Sequence, residues 1–532
     1  MRIISKMKNQ INNRLLFVLS ICIFSVSTVF SQVLNDKAVS DSLFKNLSID
    51  DLLQIKKYYD SKVQKARTEE ENYRVKGLNI SEDFLSEKGM KIKDRDRVYI
   101  RLAEYYIEEA ERKYDEEVDI YDEKYNEYEK QYALFTSGEL EEEPKVPEFP
   151  QYDYSKPIEI YDRILTEYPA GDFADDALYG KAWLLDKMNE GAESRKIYQE
   201  VIDKYPDSHF APESYIQLAE YFFAPRDDKT DEAQITVELQ KAIQLYKKVL
   251  RYKDSKRYDE ALYKLGWSYY KLAAREPHYY DDAITYFMLV ADDITKAQQL
   301  DPASEISNPN VKDEAITYIG ISFTDEAYTS AGVDKAKRML ERIGDRSYGA
   351  EIMRAIGQTY QKIDEQEKAI YAYQTLIDMY PDYREGPYIQ QSVVDALFAL
   401  GRDADAYTAR YALYENYGPQ SGWYQRMEDS DLDSKLKYLD DARKYSEQAL
   451  RTNIVLDLEK AEEQASKGTP SIPAYEKVIN GSLLYLQSFP TDSNAYEIHW
   501  SYAFLLDSRL GRFEDAFNEY IKVINRLLDI RQ

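Results

Sequence analysis

The chain has 532 residues, of which 44% are hydrophobic and 31% are charged. That apolar content excludes general disorder, and the length suits either two or three ordinary domains or one long array of small units that pack on their neighbours. The formal net charge of −27 disfavours nucleic acid and anionic lipid as partners, because an acidic surface repels phosphate groups.

Residues 1–31 have the pattern of an export signal. Basic residues precede the apolar run 15–30, and the small Ser31 stands where a peptidase would cut. An uncleaved anchor is the alternative, although this run is shorter than the roughly 20 residues that span a bilayer.

Cys22, the only cysteine, follows Ile21, whereas a lipoprotein signal needs a small residue there. After cleavage no cysteine remains, so stability must come from packing.

Residues 32–93 are predicted to form an N-terminal helical region, and residues 94–169 a helical unit with a long insertion. From Ala103 onward, apolar residues recur at spacings of three and four, which is close to a heptad stripe and predicts one long helix. The stripe carries an aromatic seam, composed of Tyr114, Tyr121, Tyr125, Tyr128 and Tyr132.

Two partners for this seam remain open. One is internal, namely the unit's own neighbour or the helix expected in residues 49–75. The other is a second copy of the chain in a coiled coil. The acidic, proline-rich residues 136–154 that follow are typical of a mobile loop. Ser155 is then expected to be the N-cap of the next helix, with Pro157 in its first turn.

One helix ending recurs downstream, in which a tyrosine is followed eight residues later by a helix-stopping proline. In the fullest copy, Met353, Ile356, Gly357 and Tyr360 precede Ala369 at fixed offsets. The recurring pairs are Tyr161 and Pro169, Tyr198 and Pro206, Tyr373 and Pro381, and Tyr411 and Pro419.

These positions resemble the W, L, G, Y and A positions of the tetratricopeptide repeat (TPR), whose period is about 34 residues. The first-helix signature also recurs around Ala182, Ala219, Gly266, Gly320 and Phe504. The resemblance implies helix-turn-helix units in which small residues let paired helices approach closely. A variant ending, YPDSHFAPES, is similar to those of TPR proteins of bacterial envelopes, such as BamD-like outer-membrane assembly factors and Tol-Pal-associated coordinators.

The predicted fold is therefore all-α, a TPR helix-turn-helix solenoid with a long helical extension and a spacer helix. Residues 94–169 are its first TPR-like unit, 170–419 the main array, 420–470 the spacer helix region and 471–532 a C-terminal TPR-like unit. The last helix is apolar along Phe517, Tyr520 and Ile521, and no polar capping helix follows it. We expect either a partner interface or missing sequence there.

Signals of chemistry are sparse. His209, His278 and His499 lie in different repeats, and the sequence has no HExxH spacing, no phosphate loop and no nucleophile elbow. Asp429 begins a calcium-loop spacing, but Ser434 stands where such a loop needs glycine, and helix capping explains the same residues. The sequence predicts no enzyme, no cofactor and no metal site.

In TPR arrays the first helices of successive repeats line a concave groove, and the resemblance implies the same here. Aromatic and acidic residues at these positions suit an apolar or basic protein segment. Packing of the aromatics on neighbouring helices is the alternative. The predicted groove residues are Tyr179, Trp183, Glu220, Phe223, Tyr263, Trp267 and Tyr270.

The sequence thus favours a non-enzymatic scaffold for protein–protein interactions in a bacterial cell envelope. Its location would be the periplasm or the outer-membrane periphery of a Gram-negative bacterium, in association with outer-membrane components. Two alternatives stay open: a specialised outer-membrane assembly, secretion or motility factor, and a periplasmic binding protein for peptides or glycans.

Overall fold

A computed structural model describes residues 49–87, 95–224, 231–300, 309–344, 346–469 and 471–531. Within these ranges the regular structure is α-helical apart from one 3-10 turn, Pro277–Tyr279, which confirms the all-α prediction. The export signal predicted for residues 1–31 lies outside them. The chain divides into two compact units, Met1–Ser194 and Arg195–Gln532, and each is considered by itself.

The first unit is built on one very long helix. Helix α2 has 43 residues, which confirms the predicted helical extension. Its first turns carry Leu102 and Ala103, which form a core with Ile160 and Ile164 of α3. The unit comprises α1 (Ile49–Glu87), α2 (Arg95–Ser137), α3 (Ser155–Glu167) and α4 (Ala174–Lys187), and its boundary falls within α5 (Gly191–Lys204).

The junction between α2 and α3 differs from the prediction at Ser155. This residue is the first of α3 rather than its N-cap. The backbone N–H of Ser155 instead donates to Asp153 Oδ1 at 3.1 Å, so the capping side chain lies two residues earlier. Hydrogen bonds from Ser155 lower the pKa of the Asp153 carboxyl. Pro157 lies in the first turn, as expected, and is buried.

The second unit is a succession of helical pairs interrupted by one long helix. That helix, α17, has 32 residues and is the predicted spacer helix. No helix among the described residues is both long and apolar enough to cross a bilayer. The elements are α6 (Phe210–Phe223), α7 (Glu232–Val249), α8 (Tyr258–Ala273), α9 (Tyr280–Leu300), α10 (Pro309–Thr324), α11 (Gly332–Ile343), α12 (Gly349–Lys362), α13 (Gln366–Met379), α14 (Gly386–Ala399), α15 (Asp403–Tyr417), α16 (Gly422–Asp429), α17 (Lys435–Ser466), α18 (Ile472–Ser488), α19 (Ala495–Ser508) and α20 (Phe513–Arg531).

Paired helices meet where an aromatic ring covers a glycine. A Cβ added to Gly357 of α12 would lie 2.3 Å from Cε1 of Tyr373 on α13, so the ring occupies the space of the missing side chain. Such contacts let neighbouring helices approach closely, because a ring fills the space that a side chain at the glycine would take. The same contact joins Gly180 to Tyr161, Gly266 to Phe287 and Gly386 to Tyr417.

Helix α17 is held by buried polar contacts as well as by apolar packing. Asp457 is 5% exposed; its carboxylate accepts from Tyr407 of α15 at 2.7 Å and pairs with Lys477 of α18 at 2.9 Å. Glu447, also buried, accepts from Tyr485 of α18 at 2.6 Å. Since buried carboxylates are costly without partners, these contacts fix the position of α17 against its neighbours.

Tyrosines make up much of the core. Eight of the twelve largest fully buried side chains in the described ranges are tyrosines, among them Tyr348 and Tyr373. Several donate their hydroxyl to a carboxylate, as Tyr280 does to Asp325 at 2.8 Å. Burial disfavours the phenolate and raises the pKa of Tyr161 and of Tyr417 to about 12.

The glycine contact gives a first prediction. Gly357→Val places a branched side chain into the ring of Tyr373 and should lower the free energy of unfolding by about 1–3 kcal/mol. Chemical denaturation followed by circular dichroism measures this loss. Gln374→Val, at an exposed position of α13, is the matched control and should change stability by less than about 1 kcal/mol. Equal stability of the two variants would contradict the packing argument.

The buried tyrosines give a second prediction. Tyrosines of the unfolded chain ionise near pH 10, whereas Tyr161 and Tyr417 keep their protons to about 12. Their contribution to stability is therefore complete below about pH 10 and is lost as the pH rises towards 12. The melting temperature should fall steeply above about pH 10. Ultraviolet titration should show phenolate appearing later than in the urea-unfolded chain; coincident titrations would refute the prediction.

Candidate protein-binding surfaces

The predicted groove residues of the second unit lie on α6 and α8, and all are half-buried. The ring of Trp267 has its centroid 6.3 Å from that of Tyr263 and 5.8 Å from that of Tyr270, both with edge contacts. The structure therefore brings these three aromatics of α8 together. We call Tyr263, Trp267 and Tyr270, together with Tyr318, the aromatic cluster.

Tyr318 of α10 is a member that sequence reasoning missed. Its ring centroid lies 4.2 Å from that of Trp267 and 5.1 Å from that of Tyr270. From the same helix, Glu314 accepts a hydrogen bond from the Tyr263 hydroxyl at 2.7 Å. The signal was present in the sequence, because Tyr318 lies just before Gly320 in a first-helix signature. The aromatics of α8 thus pack on the next first helix while remaining partly exposed.

Glu220 and Phe223 of α6 are surrounded by cations. The carboxylate of Glu220 accepts a hydrogen bond from Tyr246 and lies 2.9 Å from Lys264 Nζ. Lys271 Nζ lies 3.6 Å from the ring centroid of Phe223, and burial, then the charge of Lys264, lowers the pKa of Lys271. This part of the surface is therefore close to neutral rather than acidic.

Tyr179 and Trp183 lie on α4 of the first unit and are half-buried. Lys187 Nζ lies 4.1 Å from the Trp183 ring centroid and 3.1 Å from the carboxylate of Glu111. A cation–π contact of this kind fixes the indole within its own unit while leaving part of the ring accessible.

The tyrosine seam of α2 contacts the chain's own downstream segment. The rings of Tyr114 and Tyr152 are stacked with centroids 3.8 Å apart, and Phe149 meets Tyr121 at 5.0 Å. Further along α2, Tyr125, Tyr128 and Tyr132 follow one another at 5.7 Å. The seam therefore has an internal partner in the segment that follows α2. Association of two copies through the seam stays a prediction.

The segment that covers the seam is the one expected to be a mobile loop. Residues 143–154 form neither helix nor strand, and Tyr154 at their end is fully buried. Pro144, Pro147 and Pro150 are half-buried, which suits a polyproline II helix because it has three residues per turn and brings every third residue to one face. The segment is irregular, as a loop is, but its aromatic residues lie against the seam.

The last two helices expose a broad apolar face. Trp500 of α19 is 48% exposed, and Phe517 of α20 is 65% exposed. The equivalent of Phe517 in the repeat of α12 and α13 is Ile370, which is only 5% exposed. Internal units thus bury this position, which agrees with the apolar character predicted for the last helix.

The three histidines lie on separate elements: His209 precedes α6, His278 is in the 3-10 turn and His499 is in α19. His278 lies on the surface, whereas His499 is buried with Nε2 2.7 Å from Glu519. Asp429 ends α16 and Asp440 lies within α17. Within the ranges that the structure describes, no group of three or more His, Cys, Asp or Glu residues is placed to hold a metal ion.

Comparisons with known proteins identify the repeat. A family model described as the tetratricopeptide repeat matches residues 176–208 and 353–383, so the chain contains TPR helical pairs at these two places. No curated protein matches the chain. The chain therefore has a helical-repeat architecture, and proteins of this class commonly bind other proteins.

One solved structure with detectable similarity is a tetratricopeptide repeat protein from Parabacteroides merdae, which is 13% identical in sequence. The match covers 62% of this chain and 91% of that protein's chain, with a TM-score of 0.21. The human IFIT1 dimer with m7Gppp-AAAA is 12% identical over 85% and 94% of the two chains, with a TM-score of 0.19. A circular tandem repeat protein is 14% identical over 82% and 93%, with a TM-score of 0.23.

The stacked pair Tyr114 and Tyr152 gives a third prediction. In a double-mutant cycle with leucine at each position, the two rings should show a coupling free energy of about 0.5–1.5 kcal/mol, because a stacked aromatic pair adds to burial. Urea denaturation measures the four stabilities. The control cycle of Tyr132 with Tyr152, whose rings are not in contact, should show no coupling. Absence of coupling for Tyr114 with Tyr152 would refute the packing of residues 143–154 against the tyrosine seam of α2.

Proposed function

We propose that the protein is a non-enzymatic scaffold that binds segments of other proteins through its aromatic first-helix surface. The observation that carries the proposal is the aromatic cluster, in which Trp267 is packed from the side by three tyrosines yet remains half-exposed. Rigid, partly exposed aromatic rings are typical anchors of protein interfaces, because they offer large contact areas at low entropic cost.

The partner segment that this surface suits is mainly apolar. Glu220 already interacts with Tyr246 and Lys264, so its carboxylate is not available as the sole counter-charge for a basic segment. Lys264 and Lys271 also place positive charge beside Phe223. A segment with aliphatic or aromatic side chains and few charges fits these contacts better than a strongly basic one.

The location and the process belong to the proposal as well. Export to the periplasm or to the outer-membrane periphery of a Gram-negative bacterium is supported by the basic, apolar and small-residue pattern of residues 1–31. Within the envelope, the resemblance supports outer-membrane assembly, secretion or motility as the process served. Because aromatic rings also stack on sugars and bind peptides, a periplasmic glycan or peptide binder is the second candidate.

Affinity purification of the full chain from its own crosslinked envelope fraction tests the scaffold. Trp267→Leu keeps an apolar side chain but removes the ring, and the captured envelope proteins should fall to a small fraction of the wild-type yield. Trp183→Leu, made separately, tests the equivalent position of the first unit. Quantitative mass spectrometry of the captured proteins provides the measurement.

Trp423→Leu is the matched control, because Trp423 is a buried indole of the same unit outside the aromatic cluster. It should lower stability without reducing capture. Equal losses in Trp267→Leu and Trp423→Leu, or undiminished capture by Trp267→Leu, would refute binding at the cluster. Quenching of tryptophan fluorescence by oligosaccharides or short peptides, without any captured protein, would favour the second candidate.

A further inference from the structure

A cleft lies in the second unit, between α9 and α11. These are the second helices of two successive pairs, and the cleft has a volume of about 880 Å³. That volume is within the range of ordinary ligand sites. It is separate from the aromatic cluster, whose members lie on α8 and α10.

Cations line one wall of this cleft. Lys335, Arg338 and Arg342 lie at spacings of three and four along α11 and therefore share one face of the helix, and Arg346 follows beyond its end. The opposite wall, α9, contributes Asp281 and Asp292. Four cations against two carboxylates make the cleft locally positive in a chain whose net charge is −27.

Both carboxylates already form ion pairs and hydrogen bonds with residues at the ends of the cleft. Asp281 lies 3.4 Å from Lys335 and also accepts from the Tyr328 hydroxyl at 2.5 Å. Asp292 lies 3.4 Å from Arg346 and accepts from the Tyr348 hydroxyl at 2.7 Å. Their negative charge is therefore already engaged by lysine, arginine and tyrosine partners.

Arg338 and Arg342 stand between these two pairs. Both side chains are exposed, and neither forms an ion pair or hydrogen bond with another residue of the described ranges. Being four residues apart on a helix, their Cα atoms are about 6 Å apart along its axis. This spacing matches two carboxylates one helical turn apart on a ligand.

The floor of the cleft is apolar. Met288 and Leu289 of α9 face Met339 and Ile343 of α11 across the cleft, and Leu289 is 42% exposed. Methionine side chains adapt readily to the shape of an apolar ligand. A ligand that satisfies both features carries an apolar stripe with acidic residues beside it.

We propose that the cleft between α9 and α11 binds an acidic amphipathic helix of a partner protein, whose carboxylates pair with Arg338 and Arg342 while its apolar face covers Met288, Leu289 and Met339. A helix lying in a groove between two helices is a common mode of peptide recognition. An anionic membrane is disfavoured, because the cleft is concave and the chain as a whole is strongly acidic.

The experiment uses the full chain and a fluorescein-labelled synthetic peptide about four helical turns long, with leucines at helical spacing and glutamates one turn apart beside them. Anisotropy titration at about 50 mM and about 200 mM salt should show binding that weakens as salt rises. The double variant Arg338→Glu, Arg342→Glu should bind at least about tenfold more weakly, mainly through loss of the charge pairs. A peptide with lysine in place of glutamate should regain affinity for this variant.

Lys337→Glu is the matched control, since Lys337 lies on α11 but outside the cleft, and it should leave affinity nearly unchanged. Thermal melting should show that all variants remain folded, because the two arginines are exposed. Equal binding of a scrambled peptide of the same charge, equal weakening by Lys337→Glu, or no binding of the designed peptide to the wild type would each overturn the proposal.

Discussion

The contact of an aromatic ring with a glycine of the paired helix is the constraint on which the helical pairs depend. Where Gly266 meets Phe287, the ring lies so close that a Cβ would approach it to 2.7 Å. The ring therefore sets how closely the two helices approach at this point. The same kind of contact, at different separations in sequence, joins Gly357 to Tyr373 and Gly386 to Tyr417.

This constraint explains why much of the fold could be predicted from sequence. Gly357, Tyr360 and Ala369 are close neighbours in the chain, so their spacing alone indicated a helical pair. The heptad stripe likewise indicated the length of α2. The residues that complete the surfaces are separated further: Tyr263 and Glu314 are 51 positions apart, and Tyr154 and Glu111 are 43 apart. Such contacts depend on how successive helices stack, which no local pattern records.

The aromatic cluster and the cationic cleft differ in chemistry because they lie on different helices of the pairs. The first helices, α8 and α10, contribute rings and a nearly neutral rim. The second helices α9 and α11 contribute arginines and methionines. Under the two proposals, one unit presents two surfaces with distinct partner preferences, and two unlike segments could be held without competing for the same residues. Such an arrangement would suit a scaffold, whose role is to bring partners together.

The buried polar contacts of α17 have a consequence for mechanical load. Asp457 is joined to Tyr407 on one side and to Lys477 on the other, so α17 connects the pairs before it to those after it. Elsewhere in the second unit, each pair mainly contacts the next, and pairs of this kind give way one at a time when a chain is pulled. Around α17 the contacts are shared, because one carboxylate is bonded to helices on both sides. Under tension, α17 and the two helices it joins would therefore separate together rather than one pair at a time.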